Sequence, residues 1–164
     1  MASTLRRIGV SLCVPIALAL TGCGMDVQTL QPYTPAEGVN TSTGSVMVRN
    51  LMIVADDAGK GVLSASMITY GDDTLTAVAG TPEKSDGAAG TPLTVTPAGL
   101  PLTLSSNTLV VLTDSPVRVA VSSPDLKPGL LAEVTLTFTK AGPVRLVAPV
   151  VSSAEPEFKN ITVG

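Results

Sequence analysis

The stretch that decides the fold runs from residue 133 to 139 and reads Glu133-Val134-Thr135-Leu136-Thr137-Phe138-Thr139. Apolar and polar residues alternate along it, which is typical of a β-strand with one buried and one solvated face. The apolar positions are expected to face the core: Val134, Leu136 and Phe138. The turn-forming residues 140–143 then lead into a second apolar run, 144–151. Together these two runs predict an antiparallel hairpin.

Similar short runs recur upstream and are separated by glycine, proline and aspartate. The first apolar run, 45–54, is expected to pair with 62–70 across a turn at 56–61. We place the region 80–100, rich in Gly, Pro, Thr and Ala, in a long loop. The remaining strands are predicted at 74–78, 93–96, 108–112 and 117–121. About eight short strands joined by turns predict an all-β fold, either an immunoglobulin-like Greek-key β-sandwich or a small Greek-key barrel.

The first run is apolar on both faces. Regular alternation places four of its side chains on one face: Val46, Val48, Met52 and Val54. It places three apolar side chains on the other, together with Arg49: Met47, Leu51 and Ile53. This pattern predicts a strand that is covered on both sides.

Composition narrows the class of protein. The chain has 164 residues, 45% of them hydrophobic and 14% charged, which suits one globular unit. Aromatic residues make up 2%, so platforms that stack sugars or bases are not expected. Without residues 1–22 the chain keeps eight basic and thirteen acidic residues, a formal charge of −5. Nucleic acid is therefore not an expected partner.

The N-terminal residues have the pattern of an export signal. Arg6 and Arg7 precede an apolar run, 8–20, that is short for a permanent membrane span. The last residue of the run opens the sequence Leu20-Thr21-Gly22-Cys23, which matches the bacterial lipobox. We predict a signal peptide over 1–22, cleavage after Gly22, and a lipid on Cys23 that holds the protein at the extracytoplasmic face of the cell membrane. A plain secretory signal with an incidental cysteine is the alternative.

Cysteine usage agrees with lipidation at Cys23. The chain has two cysteines, and Cys13 lies within the predicted signal peptide. No disulfide is then possible inside the mature chain. Arg6-Arg7 leaves the twin-arginine export route open, although the residues that follow favour the general secretory route. We predict a lipidated N-terminus and flexible tether over 23–43 and a β-sandwich domain over 44–164.

The segment 126–146 resembles the closing hairpin of the periplasmic copper chaperone family, the PCuAC-like domains. It reads Leu-Lys-Pro-Gly-Leu-Leu-Ala-Glu-Val-Thr-Leu-Thr-Phe-Thr-Lys-Ala-Gly-Pro-Val-Arg-Leu. With the segment 32–40, Pro-Tyr-Thr-Pro-Ala-Glu-Gly-Val-Asn, it is similar to the actinobacterial lipoproteins of the LpqE type. The resemblance implies a cupredoxin-like β-sandwich.

The copper ligands of that family do not carry over to this chain. The family binds copper through two histidines and two methionines, the second pair as His-x-Met late in the domain. This chain has no histidine, and no methionine follows Met67. Residues 112–122 offer no soft ligands for Cu(I). We therefore expect a retained scaffold with no cofactor and no metal site of the family type.

Other candidate sites have structural explanations. The methionines are expected to pack in the core. Regular alternation places Met47 and Met52 on opposite faces and allows Met52 and Met67 to share one face. A copper site of two thioethers, at Met52 and Met67, is therefore the alternative to core packing.

The pairs 56–57 and 72–73, both Asp-Asp, lie in glycine-containing turns and lack the spacing of a calcium loop. The Ser-His-Asp triad is excluded by the missing histidine.

The sequence thus predicts a non-enzymatic binding or scaffolding lipoprotein of the cell envelope. Its partner is expected to be an envelope protein or a lipid, contacted through the sandwich surface or the loop 80–100. One alternative is a copper-handling protein with a degenerate, methionine-only site. Another is a carrier that holds a ligand between the two sheets.

Overall fold

Ten β-strands follow one another in the part of the chain that the structure, a computed structural model, describes: residues 37–96, 99–113 and 118–163. The strands are β1 (Val39–Thr43), β2 (Val46–Ala55), β3 (Lys60–Thr69), β4 (Asp73–Pro82), β5 (Thr94–Thr96), β6 (Leu102–Leu104), β7 (Val110–Val111), β8 (Ala120–Ser122), β9 (Leu131–Phe138) and β10 (Gly142–Ser152). These described residues contain no helix, so the predicted all-β class is confirmed.

The strands form one curled sheet in the order β5-β8-β3-β2-β10-β9-β4-β6, which folds over into two layers. The first layer holds β1, β2, β3, β5, β7 and β8, and the second holds β4, β6 and β9. β10 joins the layers, because residues 142–149 pair with β9 and residues 150–152 run parallel to β2. A strand that passes from one layer to the other closes a corner of a sandwich.

The hairpin predicted at 133–151 is present. β9 and β10 pair from Phe138 opposite Gly142 to Leu131 opposite Pro149. The three apolar residues of the deciding stretch, Val134, Leu136 and Phe138, are buried in the core. Gly142 has a φ of 75° at the turn, a conformation that glycine adopts without a steric penalty.

A β-bulge in β2 changes which side chains face the core. Asn50 adopts a φ of 53°, and the pairing of β2 with β3 shifts between Arg49 and Met52. One extra residue in a strand moves every later side chain to the opposite face. Val46 and Val48 therefore share the main core with Leu51, Ile53 and Ala55. The predicted grouping of Val46 and Val48 with Met52 and Val54 is wrong.

The start of the sandwich also differs from the prediction. Residues 39–43, predicted as the end of a tether, form β1 and pair with β2. The predicted domain start at residue 44 is therefore too late. β4 extends to Pro82, into the predicted loop 80–100, and β6 was not expected. β1 and β6 are the two strands that the sequence does not predict, and they bring the total in the described residues to ten.

Aliphatic side chains fill the space between the two layers. Leu63, Met67, Leu75 and Leu136 are among the largest fully buried ones. A second, smaller cluster lies on the outer surface of the first layer, where Met52, Val54 and Val62 pack against Phe158. Phe158 belongs to the turn-rich C-terminal segment 153–163. The first layer is thus covered on both sides at this end, as its apolar sequence predicts.

The described residues include no helix that could span a membrane.

Candidate functional site

The predicted lipidation site lies outside the described residues. Cys23 and its lipobox residues Leu20, Thr21 and Gly22 precede residue 37, where the description begins. Cleavage after Gly22 and lipid attachment at Cys23 remain predictions from the sequence.

The structure separates the two methionines of the copper alternative. Met67 is buried in the main core opposite Val48, whereas Met52 lies in the small cluster under Phe158 on the outer surface. The bulge at Asn50 causes this separation, since it turns Met52 away from the core. Met47 also alternates to the outer surface, beside the half-buried Ile68. The prediction that Met52 and Met67 share a face is wrong.

Of the four aspartates in the two Asp-Asp turns, three accept hydrogen bonds from backbone amides and the fourth is exposed to solvent. Asp56 accepts a hydrogen bond from the Lys60 amide at 2.9 Å, and Asp72 accepts one from Ser106 at 2.8 Å. The side chain of Asp57 is exposed. Their turn roles follow from the sequence, because a short carboxylate readily binds nearby amides.

Asp73 is the buried member of this set and joins two distant parts of the fold. Its Oδ1 accepts hydrogen bonds from the amides of Thr74 at 2.7 Å and Lys140 at 2.9 Å. Its Oδ2 accepts one from Ala141 at 2.9 Å. Desolvation raises the pKa of Asp73, but these three amides and the charge of Lys140 outweigh it, so the pKa is lowered. The carboxylate stays ionised and fixes the β9–β10 turn against β4.

A second carboxylate, Asp125, organises the opposite end of the sandwich. Its Oδ2 accepts hydrogen bonds from the amide and the hydroxyl of Thr91, at 2.7 Å and 2.8 Å. Ser123 donates its hydroxyl to the Thr91 carbonyl at 2.8 Å. The hydrogen bonds from the Thr91 amide and hydroxyl lower the pKa of the half-buried Asp125, and Lys84 and Lys127 contribute further. Sequence reasoning missed this link, since 34 residues separate Asp125 from Thr91.

A shallow, open depression of about 360 Å³ lies beside this link. Its polar lining includes Lys60, Thr91 and Ser122. The Thr91 and Ser123 hydroxyls are committed to structural hydrogen bonds, and no imidazole is present to activate a hydroxyl. The depression therefore lacks the histidine of a Ser-His-Asp hydrolytic centre.

Three carboxylates, one of them far from the other two in the sequence, meet on the surface. Oxygen atoms of Glu37, Glu155 and Glu157 lie within 4.8 Å of one another, and all three residues are exposed. Glu37 precedes β1, whereas the other two follow β10, so only the folded chain brings them together. Such oxygen ligands suit hard cations and not Cu(I).

Buried polar groups in the described ranges are all satisfied. Every buried side-chain nitrogen or oxygen atom there has a hydrogen-bond partner. An orphaned buried polar group often marks a ligand or catalytic site. The described residues present no such group, so the carrier alternative has no internal polar anchor for a ligand among them.

Solved structures share this architecture, although no family model and no curated protein matches the chain. The apo PCuAC domain from PmoF1 superposes with a TM-score of 0.50 at 21% identity, over 70% of this chain and 99% of that one. The apo PmoF2 PCuAC domain gives a TM-score of 0.51 at 18% identity, over 71% and 98%. The chain has the cupredoxin-like β-fold of PCuAC domains.

Proposed function

We propose that this chain is a lipid-anchored, extracytoplasmic binding module that performs no chemistry itself and belongs with the LpqE-type lipoproteins. One observation carries the proposal: a PCuAC-like fold is built by a chain that contains no histidine. The fold supplies a rigid sandwich without the imidazoles that copper binding or hydroxyl activation would use. The partner is an envelope protein or a lipid.

The placement of the described polar groups supports a non-enzymatic role. Both carboxylates with lowered pKa values, Asp73 and Asp125, accept backbone hydrogen bonds and fix turns. A general acid or base at neutral pH needs a pKa near the working pH, and a lowered carboxyl pKa lies far from it. These two groups are therefore structural in the proposed module.

The anchoring part is tested at the two cysteines. In the full chain, Cys23→Ser is expected to leave unprocessed or unlipidated protein, and so to abolish acylation of the N-terminal peptide. Cys13→Ser is the matched control, since it removes the other cysteine and should leave acylation unchanged. Mass spectrometry of the N-terminal peptide and membrane fractionation measure both effects. Acylation that survives Cys23→Ser, with unchanged mobility and membrane retention, contradicts the anchor.

The copper alternative is separated by a Cu(I) competition titration of the purified chain. We expect no tight binding that depends on thioethers, because Met52 and Met67 lie on opposite faces of β2 and β3. Met52→Leu and Met67→Leu should behave like the parent, and Met47→Leu serves as the control. Tight binding that is lost in both Met52→Leu and Met67→Leu would favour a copper-handling protein.

A further inference from the structure

The outer surface of the first layer has two halves that differ in coverage. At one end, Phe158 and the C-terminal segment cover Met52, Val54 and Val62. At the other end, apolar side chains of three neighbouring strands lie without such a cover among the described residues. We name these side chains the Tyr70 patch: Met47, Ile68, Tyr70, Leu109 and Val111.

Strand register places the members of this patch together. Met47 lies directly opposite Ile68, and the inward neighbours of these residues, such as Val48 and Met67, are fully buried. Val111 pairs with Ser66, so it faces the same side as Ile68. Alternation extends this surface to the residues just beyond the strand ends, Tyr70 after β3 and Leu109 before β7.

Tyr70 and Leu109 are the most exposed large apolar residues of the described chain. Their exposed fractions are 68% and 61%, whereas Met47, Ile68 and Val111 are half-buried. The adjoining loop residues, Ser105 to Thr108, carry no charge. The Arg49 guanidinium, on the same face, is directed to the Thr41 carbonyl at 2.7 Å. The exposed carboxylate of Asp72 accepts a hydrogen bond from the Ser106 amide of this loop, so the patch is apolar with one negative charge at its loop-side rim.

Such a surface fits the interface of a lipid bilayer better than a protein partner. A stable protein interface buries about 800 Å² on each side, which five side chains, three of them half-buried, cannot supply. A tyrosine beside aliphatic residues suits the headgroup boundary, where the ring enters the apolar region and the hydroxyl stays hydrated. No basic cluster is required for this contact.

The length of the chain before β1 supports the same partner. β1 begins at Val39, opposite Leu51, and runs along β2 until Ser42 lies opposite Met47. Thirteen residues, 24–36, separate Cys23 from the described chain, and they can reach about 45 Å at full extension. A lipid on Cys23 would therefore keep the patch within reach of the bilayer and raise the effective concentration of its surface.

We infer that the Tyr70 patch rests on the membrane surface and orients the domain with the outer face of its first layer toward the lipid. This inference rests on the proposed lipid anchor at Cys23. The contact sets the orientation of the domain, while the acyl chains hold it.

The chain contains no tryptophan, so a single introduced tryptophan reports its own environment. Tyr70→Trp places the reporter in the patch. Val147→Trp is the matched control, because Val147 is exposed on β10, away from the patch. The full-length acylated protein is reconstituted in phosphatidylcholine vesicles with and without brominated acyl chains. We expect roughly twofold quenching for Tyr70→Trp, little for Val147→Trp, and no increase in quenching when anionic lipid is added.

Each other outcome has a distinct meaning. Equal quenching of both reporters, with acylated Cys23 confirmed by mass spectrometry, overturns the orientation and leaves the anchor intact. A Tyr70→Trp reporter that is shielded in whole cells but solvated on vesicles assigns the patch to a protein partner and also overturns it. A chain without lipid on Cys23 overturns both the anchor and the orientation. Adding Leu109→Ser to Tyr70→Trp should reduce the quenching, whereas adding Leu131→Ser on β9 should not.

Discussion

The carboxylate of Asp73 accepts a 2.9 Å hydrogen bond from the amide of Ala141, 68 residues further along the chain. Asp73 opens β4, and Ala141 lies in the turn between β9 and β10. The same carboxylate also binds the amides of Thr74 and Lys140. One side chain thus satisfies three backbone donors.

Asp73→Asn should destabilise the domain by about 1–3 kcal/mol, the cost of leaving a buried donor unsatisfied. The asparagine amide group replaces one acceptor oxygen with a donor and so faces a backbone N–H. Asp73 is 4% exposed, which keeps water from replacing the lost acceptor. Urea unfolding measures the change. Asp57→Asn, the same chemical change at an exposed turn, should stay within about 0.5 kcal/mol. Equal effects of the two variants would contradict the role assigned to Asp73.

Stability should fall on acidification only below about pH 4. The pKa values of Asp73 and Asp125 are lowered from 3.8 in the folded chain. A lowered folded pKa contributes stability that is present above 3.8 and is lost as the pH falls through the folded value. No histidine titrates near neutrality, so the free energy of unfolding should be flat from about pH 5 to pH 8.

Unfolding curves of the parent, Asp73→Asn and Asp125→Asn across pH test this expectation. The difference between the parent and each variant should shrink below about pH 4, where the parent carboxylates become protonated. A main loss of stability centred near pH 6 would assign the acid sensitivity to other groups.

Gly38→Ala should detach β1 from the sandwich. A Cβ at Gly38 would lie 2.5 Å from the carbonyl carbon of Asn50, inside backbone contact distance. The Gly38 amide also donates to the Asn50 side chain at 2.8 Å. We expect a loss of about 1–3 kcal/mol and faster hydrogen exchange in β1.

Gly71→Ala is the matched control for this substitution. No atom lies within 4 Å of the position that its Cβ would take, so its stability should stay close to that of the parent. Similar stability of the two glycine variants would mean that β1 adapts to the added methyl group.

The deciding hairpin was predictable because local sequence dictates it. Val134, Leu136 and Phe138 alternate with threonine, and a glycine turn follows, so pattern and turn chemistry agree. β1 was not predictable in this way, because the residues of Val39–Thr43 are mostly small and polar. They form a strand because the edge of β2 offers unpaired backbone groups.

The bulge and the carboxylate links show a second limit of sequence patterns. Asn50 tolerates a positive φ better than most residues, yet nothing in its neighbours requires it to adopt one. The partners of Asp73 and Asp125 lie 34 to 68 residues away, with the exception of Thr74. Periodicity is local, so it cannot report which distant amide a carboxylate will meet. The corrected place of Met52 follows from the bulge alone.

Phe158→Ala should free the C-terminal segment from the first layer. Phe158 is 8% exposed and lies on Met52, Val54 and Val62, whereas the backbone of the segment bonds mainly to itself in short turns. Truncating a buried phenylalanine costs about 3–5 kcal/mol, and we expect the lower value because this cluster lies at the surface. Hydrogen exchange should accelerate over 154–163 and leave β9 protected. Lys159→Ala, an exposed neighbour, is the control and should change the free energy of unfolding by less than about 0.5 kcal/mol. If Phe158→Ala left exchange in the segment unchanged, the backbone hydrogen bond from Ser153 to Ala55 and the Arg118 contact with the Thr162 carbonyl would be sufficient to hold it.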